Sequence, residues 1–161
     1  MSDYANTGEL VEESTETINT EKFLVFSILG KLYCFPSKLI GEIALFDKVF
    51  PLPLMPSYVL GVVNRYSAPY ALFDIGLLFQ KTPSPRNKII ILKEEIDRIA
   101  FLIDDVAGIA DIQNDELFVV ERGSDSGDLT DLICASFKWE DGDVFVLDAN
   151  RIISRVSKEI A

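Results

Sequence analysis

The chain has no histidine, which removes the commonest general base and the commonest metal ligand. It is also short of basic charge: 15 Lys and Arg stand against 26 Asp and Glu, for a formal net charge of −11. Nucleic acid and anionic lipid both require a cationic footprint, and no Lys/Arg-rich run supplies one. Neither a nucleic-acid partner nor direct membrane insertion is expected. Cysteine is limited to Cys34 and Cys134. Two cysteines without CxxC spacing read as buried thiols of a reducing compartment, not as a bridge or a zinc site. No apolar run reaches the ~18 residues of a membrane span. The N-terminus lacks the basic region and apolar core of a signal peptide, so the simplest localisation is cytoplasmic. A nucleophile-elbow GxSxG, a Walker loop and a dinucleotide glycine fingerprint are also missing. No catalytic residue, metal or cofactor is expected.

What is present suits a compact globule, with 48% hydrophobic and 11% aromatic residues among 161. A chain this long buries about 70% of the surface its unfolded form exposes, without help from a disulfide or metal. One domain is the default, expected over residues 21–161. Residues 1–20 are polar, and six acidic residues precede the first basic one, Lys22. Such a tail cannot offset its own ordering entropy, so it reads as disordered and dispensable for folding.

Residues 23–29, FLVFSIL, predict a first strand. Gly30-Lys31 predicts a turn, and residues 32–35 a second strand ended by Pro36. Residues 37–46 fit two periods. Leu39, Ile40, Ile43 and Phe46 suit a helical turn, whereas Ile40, Glu42, Ala44 and Phe46 alternate as a strand does. A brief turn and then a strand from Ile40 is the favoured reading. Pro51 and Pro53 stiffen the connection that follows. Residues 59–64 and 70–73 predict two strands around a polar tip, and Asp74 predicts an N-cap for a helix over 75–79. Residues 81–87 read as a loop. Residues 88–93 and 98–103 predict a central hairpin, and 106–112 a strand bent near Gly108. A short apolar run at 117–120 precedes a solvated loop over 121–131. Residues 132–139 and 144–147 predict a last hairpin turning at Asp141-Gly142. Asp148 then caps a helix with Ile152, Val156 and Ile160 on one face.

A weak internal repeat runs through this reading. Gly61 and Asp74 are thirteen residues apart, as are Ala135 and Asp148, and Leu72-Phe73-Asp74 echoes Val146-Leu147-Asp148. Two similar halves with roughly ten short strands point to an all-β fold of two small barrels.

Few residues suggest a site. Asp104 and Asp105 are adjacent, and adjacent strand positions face opposite ways, so the two carboxylates read as structural. Asp111, Asp115 and Glu116 lack the spacing and turn glycine of a calcium loop. Glu42 lies among apolar residues beside Ile40 and Ile43. It is either an outward-facing strand residue or a charged contact inside an apolar binding patch. Arg65 and Tyr66, at a hairpin tip, are of the types enriched at interface hot spots.

In order, these landmarks resemble the CheW family of chemotaxis coupling proteins. An aromatic-containing first strand and a glycine turn are matched by Phe26 and Gly30. A Tyr-Ala-Ile-Pro-like strand is matched by Tyr33-Cys34-Phe35-Pro36, and Val-x-Glu-Ile by Ile40-Gly41-Glu42-Ile43. Pro-x-x-Pro-x-Tyr-Val-x-Gly-Val is matched without gaps by Pro53 through Val62. A later Val-Asp-x-Val motif corresponds to Ile103-Asp104-Asp105-Val106, and a Leu-Asp before the last helix to Leu147-Asp148. The resemblance implies two five-stranded SH3-like β-barrels packed together, with short helices including a C-terminal one. It implies a non-enzymatic adaptor that bridges the cytoplasmic tip of chemoreceptors to the regulatory domain of a CheA-type histidine kinase. Such an adaptor would sit at the inner face of the membrane through receptor arrays.

Receptor contact would fall on Ile40, Glu42 and Ile43, and on the segment holding Asn64, Arg65 and Tyr66. The kinase-contacting residues are not indicated. Where the family has Asn-Leu-Arg-Gly this chain reads Asn64-Arg65-Tyr66-Ser67. Tyr66 holds the arginine's position and Arg65 comes one residue early, which in a strand is the opposite face. Either Tyr66 replaces an ion-pairing arginine with an aromatic contact, or a twist or bulge recruits Arg65. The later Gly-Val element also departs, with Ala135 in place of glycine. Other readings of the same chain are a small ligand-binding β-barrel and a CheW-like scaffold of a non-flagellar pathway.

Overall fold

The computed structural model describes residues 19–83, 87–120 and 129–160. The acidic tail up to residue 18, residues 84–86 of the 81–87 loop, and residues 121–128 of the loop expected over 121–131 lie outside them, as does the side chain of Ile160. Thr20, assigned above to the tail, is already paired with Gln113 in a ladder.

The first hairpin joins β1 (Thr20–Ile28) to β2 (Lys31–Pro36). Its turn is Leu29-Gly30, one residue earlier than the sequence suggests, because Ile28 pairs with Lys31. Both turn residues have positive φ, 50° and 83°. That is the primed-turn geometry whose twist matches right-handed strands. Leucine is strained there, and its N–H donates to Asp104 Oδ2 at 2.7 Å, which holds the turn in place. A single 3₁₀ turn at Ser37–Leu39 leads into β3 (Ile40–Leu45), the favoured of the two readings of this stretch.

The second hairpin is β4 (Val59–Arg65) and β5 (Ala68–Asp74), followed by helix α1 (Ile75–Gln80). Asp74 caps that helix, its Oδ1 accepting from the Leu77 N–H at 3.2 Å. Then come β6 (Lys88–Leu92), β7 (Ile99–Ile103) and β8 (Asp105–Gln113). Opposite Val25 and Phe26 the register of β8 slips past Ala107, which is the bend expected beside Gly108. The two-residue β9 (Phe118–Val119) precedes β10 (Ile133–Trp139), β11 (Gly142–Leu147) and helix α2 (Ala149–Ile160). Asp148 caps α2 by accepting from the Arg151 N–H at 3.2 Å. Trp139 pairs with Gly142, so the last turn is Glu140-Asp141, again one residue earlier than the Asp-Gly signal suggests.

Two sheets result, in the orders β8-β1-β2-β11-β10-β9 and β3-β6-β7-β5-β4. The second has the five strands expected, and the first adds β9 at its edge. Period-two alternation sorts the side chains into three cores. On β1, Leu24, Phe26 and Ile28 enter a core shared by the two sheets, and Phe23 and Val25 enter one private to the first. On β7, Ile99, Phe101 and Ile103 join the shared core, while Ala100 and Leu102 fill the second sheet's own. Phe35 of one sheet and Phe101 of the other lie 5.0 Å apart, ring to ring. Ile152 and Val156 of α2 are buried in the same shared core.

The repeat is visible in the ladders. The β4–β5 register slips between Val59 and Gly61, and the β10–β11 register slips between Ile133 and Ala135. Each hairpin carries a parallel neighbour, β7 beside β5 and β2 beside β11. The halves are interleaved. The leading hairpin of the first half, β1–β2, lies in the sheet built by β8, β10 and β11, and the leading hairpin of the second half, β6–β7, lies in the sheet built by β3, β4 and β5.

Candidate interaction site

β3 and β4 are the two edges of the five-stranded sheet. Twist curls such a sheet until its edges approach each other, and a bridge between Phe50 and Val62 stitches the closure. The site lies where these edges end. On β3 the register against β6 slips between Ile40 and Glu42, leaving Gly41 out of the ladder. A Cβ on Gly41 would come within 3.3 Å of the Ile91 and Leu92 carbonyl oxygens, so glycine lets this edge lie close. Ile40, Glu42 and Ala44 are partly buried, while Ile43 and Leu45 are exposed on the other face.

β4 ends at Arg65, which is the last residue to pair across the hairpin, with Ala68. Tyr66 and Ser67 form the turn, with φ of 51° and 65°. This is again the primed geometry, here without any glycine. The turn leaves Tyr66 84% exposed. The Arg65 guanidinium carbon lies 5.1 Å from the centre of the Tyr66 ring, a cation–π contact. Arg65 Nη2 donates to Glu42 Oε1, joining the two sheet edges through an ion pair that is largely sheltered from solvent. Arg65 shares the inward face of β4 with Val63, in a ladder whose slip lies at the far end of the strand, between Val59 and Gly61, and from there it reaches Glu42.

A cleft of about 480 Å³ opens beside this pair, walled by Gly41, Glu42, Arg65, Tyr66, Tyr70 and the β6–β7 tip, including Lys93, Glu94 and Glu95. Of the six residues singled out from the sequence, Glu42, Arg65 and Tyr66 converge here. Ile40 packs against the shared core instead, Ile43 points outward, and Asn64 is exposed on β4, out of the cleft wall. Tyr70, Lys93, Glu94 and Glu95 were not singled out. The one hint was the charged Glu94-Glu95 turn, and only the strand order reveals that it meets β3. Glu94 is paired with Arg98 at 2.9 Å.

The cysteines offer no chemistry to this site. Burial pushes the Cys34 thiol well above its usual range and raises that of Cys134 as well. Cys134 donates weakly to the Val146 carbonyl at 3.6 Å. A second apolar feature lies along the proline-stiffened segment, where Phe50, Leu52 and Leu54 are exposed. Among the described residues no helix is long and apolar enough to cross a membrane.

The family model for the CheW-like domain matches residues 22–157. Among solved structures, the fold is similar to that of the scaffolding protein TtCheW from Thermoanaerobacter tengcongensis, with a TM-score of 0.70. The likeness covers 81% of this chain and 90% of that one at 16% sequence identity, and it concerns the fold alone. No curated protein matches the sequence.

Proposed function

The chain belongs to the CheW-like family of scaffold proteins, and from that premise we propose that it is a non-enzymatic adaptor coupling chemoreceptors to a CheA-type histidine kinase. The observation that carries the reading is the Glu42–Arg65 pair. It holds the Val-x-Glu-Ile-like strand and the altered Asn-Arg-Tyr-Ser tip together as one surface, with Tyr66 standing out from it. With the charges of Glu42 and Arg65 paired to each other, an aromatic ring and a polar cleft remain for a partner. Tyrosine combines apolar area and a hydroxyl at low entropy cost, which suits an interface anchor. In this reading the receptor's cytoplasmic tip docks at Glu42, Arg65 and Tyr66, with Ile40 and Ile43 as the strand that positions them and Asn64 at the rim. In the same reading the protein works in the cytoplasm at receptor arrays, where it also meets the kinase's regulatory domain.

Calorimetry of the full chain tests this in two titrations. One uses the regulatory domain of a CheA-type kinase from the same genome. The other uses a helical-hairpin fragment of a receptor tip. Both should give reversible, micromolar-range binding, as contacts of standard size or smaller do. Absence of binding to every such kinase domain overturns the adaptor reading.

A further inference from the structure

Among the described residues β9 has a strand on one side only. It pairs with β10 through Phe118 with Ser136 and Val119 with Ala135, and it stands last in its sheet. The Val120 N–H donates to the Cys134 carbonyl of β10 at 3.1 Å. Backbone groups alternate sides along an antiparallel strand, so Phe118 also turns its N–H and C=O toward β10, and Val119 turns its own to the free edge. The side chains at this edge are apolar and uncovered: Phe118 is 63% exposed and Val119 77%. An open edge with exposed apolar side chains is a place where another strand adds.

Two segments of this chain outside the described structure adjoin the edge. Residues 121–128, ERGSDSGD, have no apolar side chain to lay against it. Residues 1–18 carry an adjacent aliphatic pair, Leu10 and Val11. This tail enters the fold at Asn19, whose carbonyl accepts from the Asn114 N–H at 3.0 Å, and Thr20 pairs with Gln113. Phe118 follows Asn114 by four residues, which span at most about 14 Å. The eight residues from Val11 to Asn19 reach up to about 28 Å when extended, so the pair reaches β9 with length to spare. Successive side chains of a strand point to opposite faces. Leu10 and Val11 therefore offer one aliphatic group to each face of the sheet, as Phe118 and Val119 do, and such cross-strand pairs are what stabilise an added strand. The tether also favours the tail over a second copy of β9. A segment on the same chain is present at an effective concentration on the order of millimolar, whereas a second copy offers a contact of the same small size only at the protein's own concentration.

We propose that residues 9–12 of the N-terminal tail add as a short strand to the free edge of β9, with Leu10 and Val11 covering Phe118 and Val119. The contact lies outside the three cores, so the tail stays dispensable for folding while it keeps this edge from pairing with other chains. It is independent of the coupling function above.

Amide hydrogen exchange of the nitrogen-15-labelled protein, followed by NMR at Val119, tests it. In the full chain the Val119 amide should exchange about tenfold more slowly than in a chain beginning at residue 19. The double variant Leu10→Asp with Val11→Asp keeps the tail's length and should exchange as fast as the shortened chain. The Val120 amide, bonded to β10, should keep the same protection in all three and so reports an intact sheet. Fast exchange of Val119 in the full chain overturns the proposal, as does equal protection in the shortened chain or in the double variant. Protection that rises with protein concentration assigns the edge to a second copy and overturns it as well.

Discussion

At the scale of residues, Glu42 and Arg65 act as one unit. Their side chains are only 33% and 26% exposed, so removing either partner leaves a partly sheltered charge without its counterion. In a double-mutant cycle on receptor-hairpin binding, Glu42→Ala and Arg65→Ala should be non-additive by about 1 kcal/mol or more. Calorimetry on the four proteins measures this, and simple addition of the two losses would show that the pair plays no joint part. Tyr66→Ala should weaken the same binding by about 1–2 kcal/mol, with little dependence on salt, since the ring contributes area and not charge. The thiols make a separate case. Cys34 is fully buried and its ionisation suppressed, and Cys134 is only partly covered. The thiolate is the reacting species, so a thiol-specific reagent at neutral pH should label Cys134 slowly and Cys34 only with global unfolding. Rapid labelling of Cys34 in the native protein would contradict its placement. Sequence reasoning reached Glu42 because a charge inside an apolar strand is conspicuous. It reached Arg65 and Tyr66 as tip residues but left their roles open, because the sequence does not say which face of β4 meets the edge of β3.

At the scale of elements, the hairpin turns decide the geometry, and they are where sequence and structure part. The sequence predicts Gly30-Lys31 and Asp141-Gly142 as turn pairs, yet in both hairpins the turn sits one residue earlier, with Lys31 and Gly142 already in ladder positions. The strand pairs on either side fix the register, and the turn residues accommodate it. Leu29, Tyr66, Ser67 and Glu140 consequently hold positive φ without being glycine. The β4–β5 turn pays this strain twice, at Tyr66 and Ser67. Ser67→Gly removes half of it at an exposed position. A left-handed L-residue costs about 1–2 kcal/mol, and the added freedom of glycine in the unfolded chain takes back about 0.5–1 kcal/mol. The net should be a stabilisation of about 0.5–1 kcal/mol, read as a higher denaturant midpoint at an unchanged slope. A lower midpoint would mean that the Ser67 side chain makes a contact worth more than the strain. By contrast, the helix caps Asp74 and Asp148 were legible directly, because a cap acts within three residues and needs no knowledge of the sheet.

At the scale of the whole molecule, the sequence shows a repeat but not how the repeats are joined. Strand composition and the thirteen-residue spacings predict two β-rich halves, and two sheets are found. Each sheet takes its leading hairpin from the other half of the chain. The parallel pairs that make the exchange, β2 with β11 and β5 with β7, join segments distant in sequence, where local periodicity carries no information. A consequence follows for folding. A fragment covering residues 1–86 holds β1 and β2 without β8, β10 and β11, and holds β3, β4 and β5 without β6 and β7. Both of its sheets are cut, and the shared core that includes Phe35 and Phe101 loses one side. The fragment covering residues 87–161 is cut in the same way. Neither buries enough apolar surface to offset its chain entropy, so each alone should lack a cooperative unfolding transition. Mixed in equal amounts, the two should regain one, because the break falls in the loop between α1 and β6 and severs no strand pairing. Circular dichroism melts of each fragment and of the mixture measure this. A cooperative transition in either fragment alone would show that a barrel can close without the exchanged hairpin. The shared core would then be a contact between two independent barrels, and not the condition for either to form.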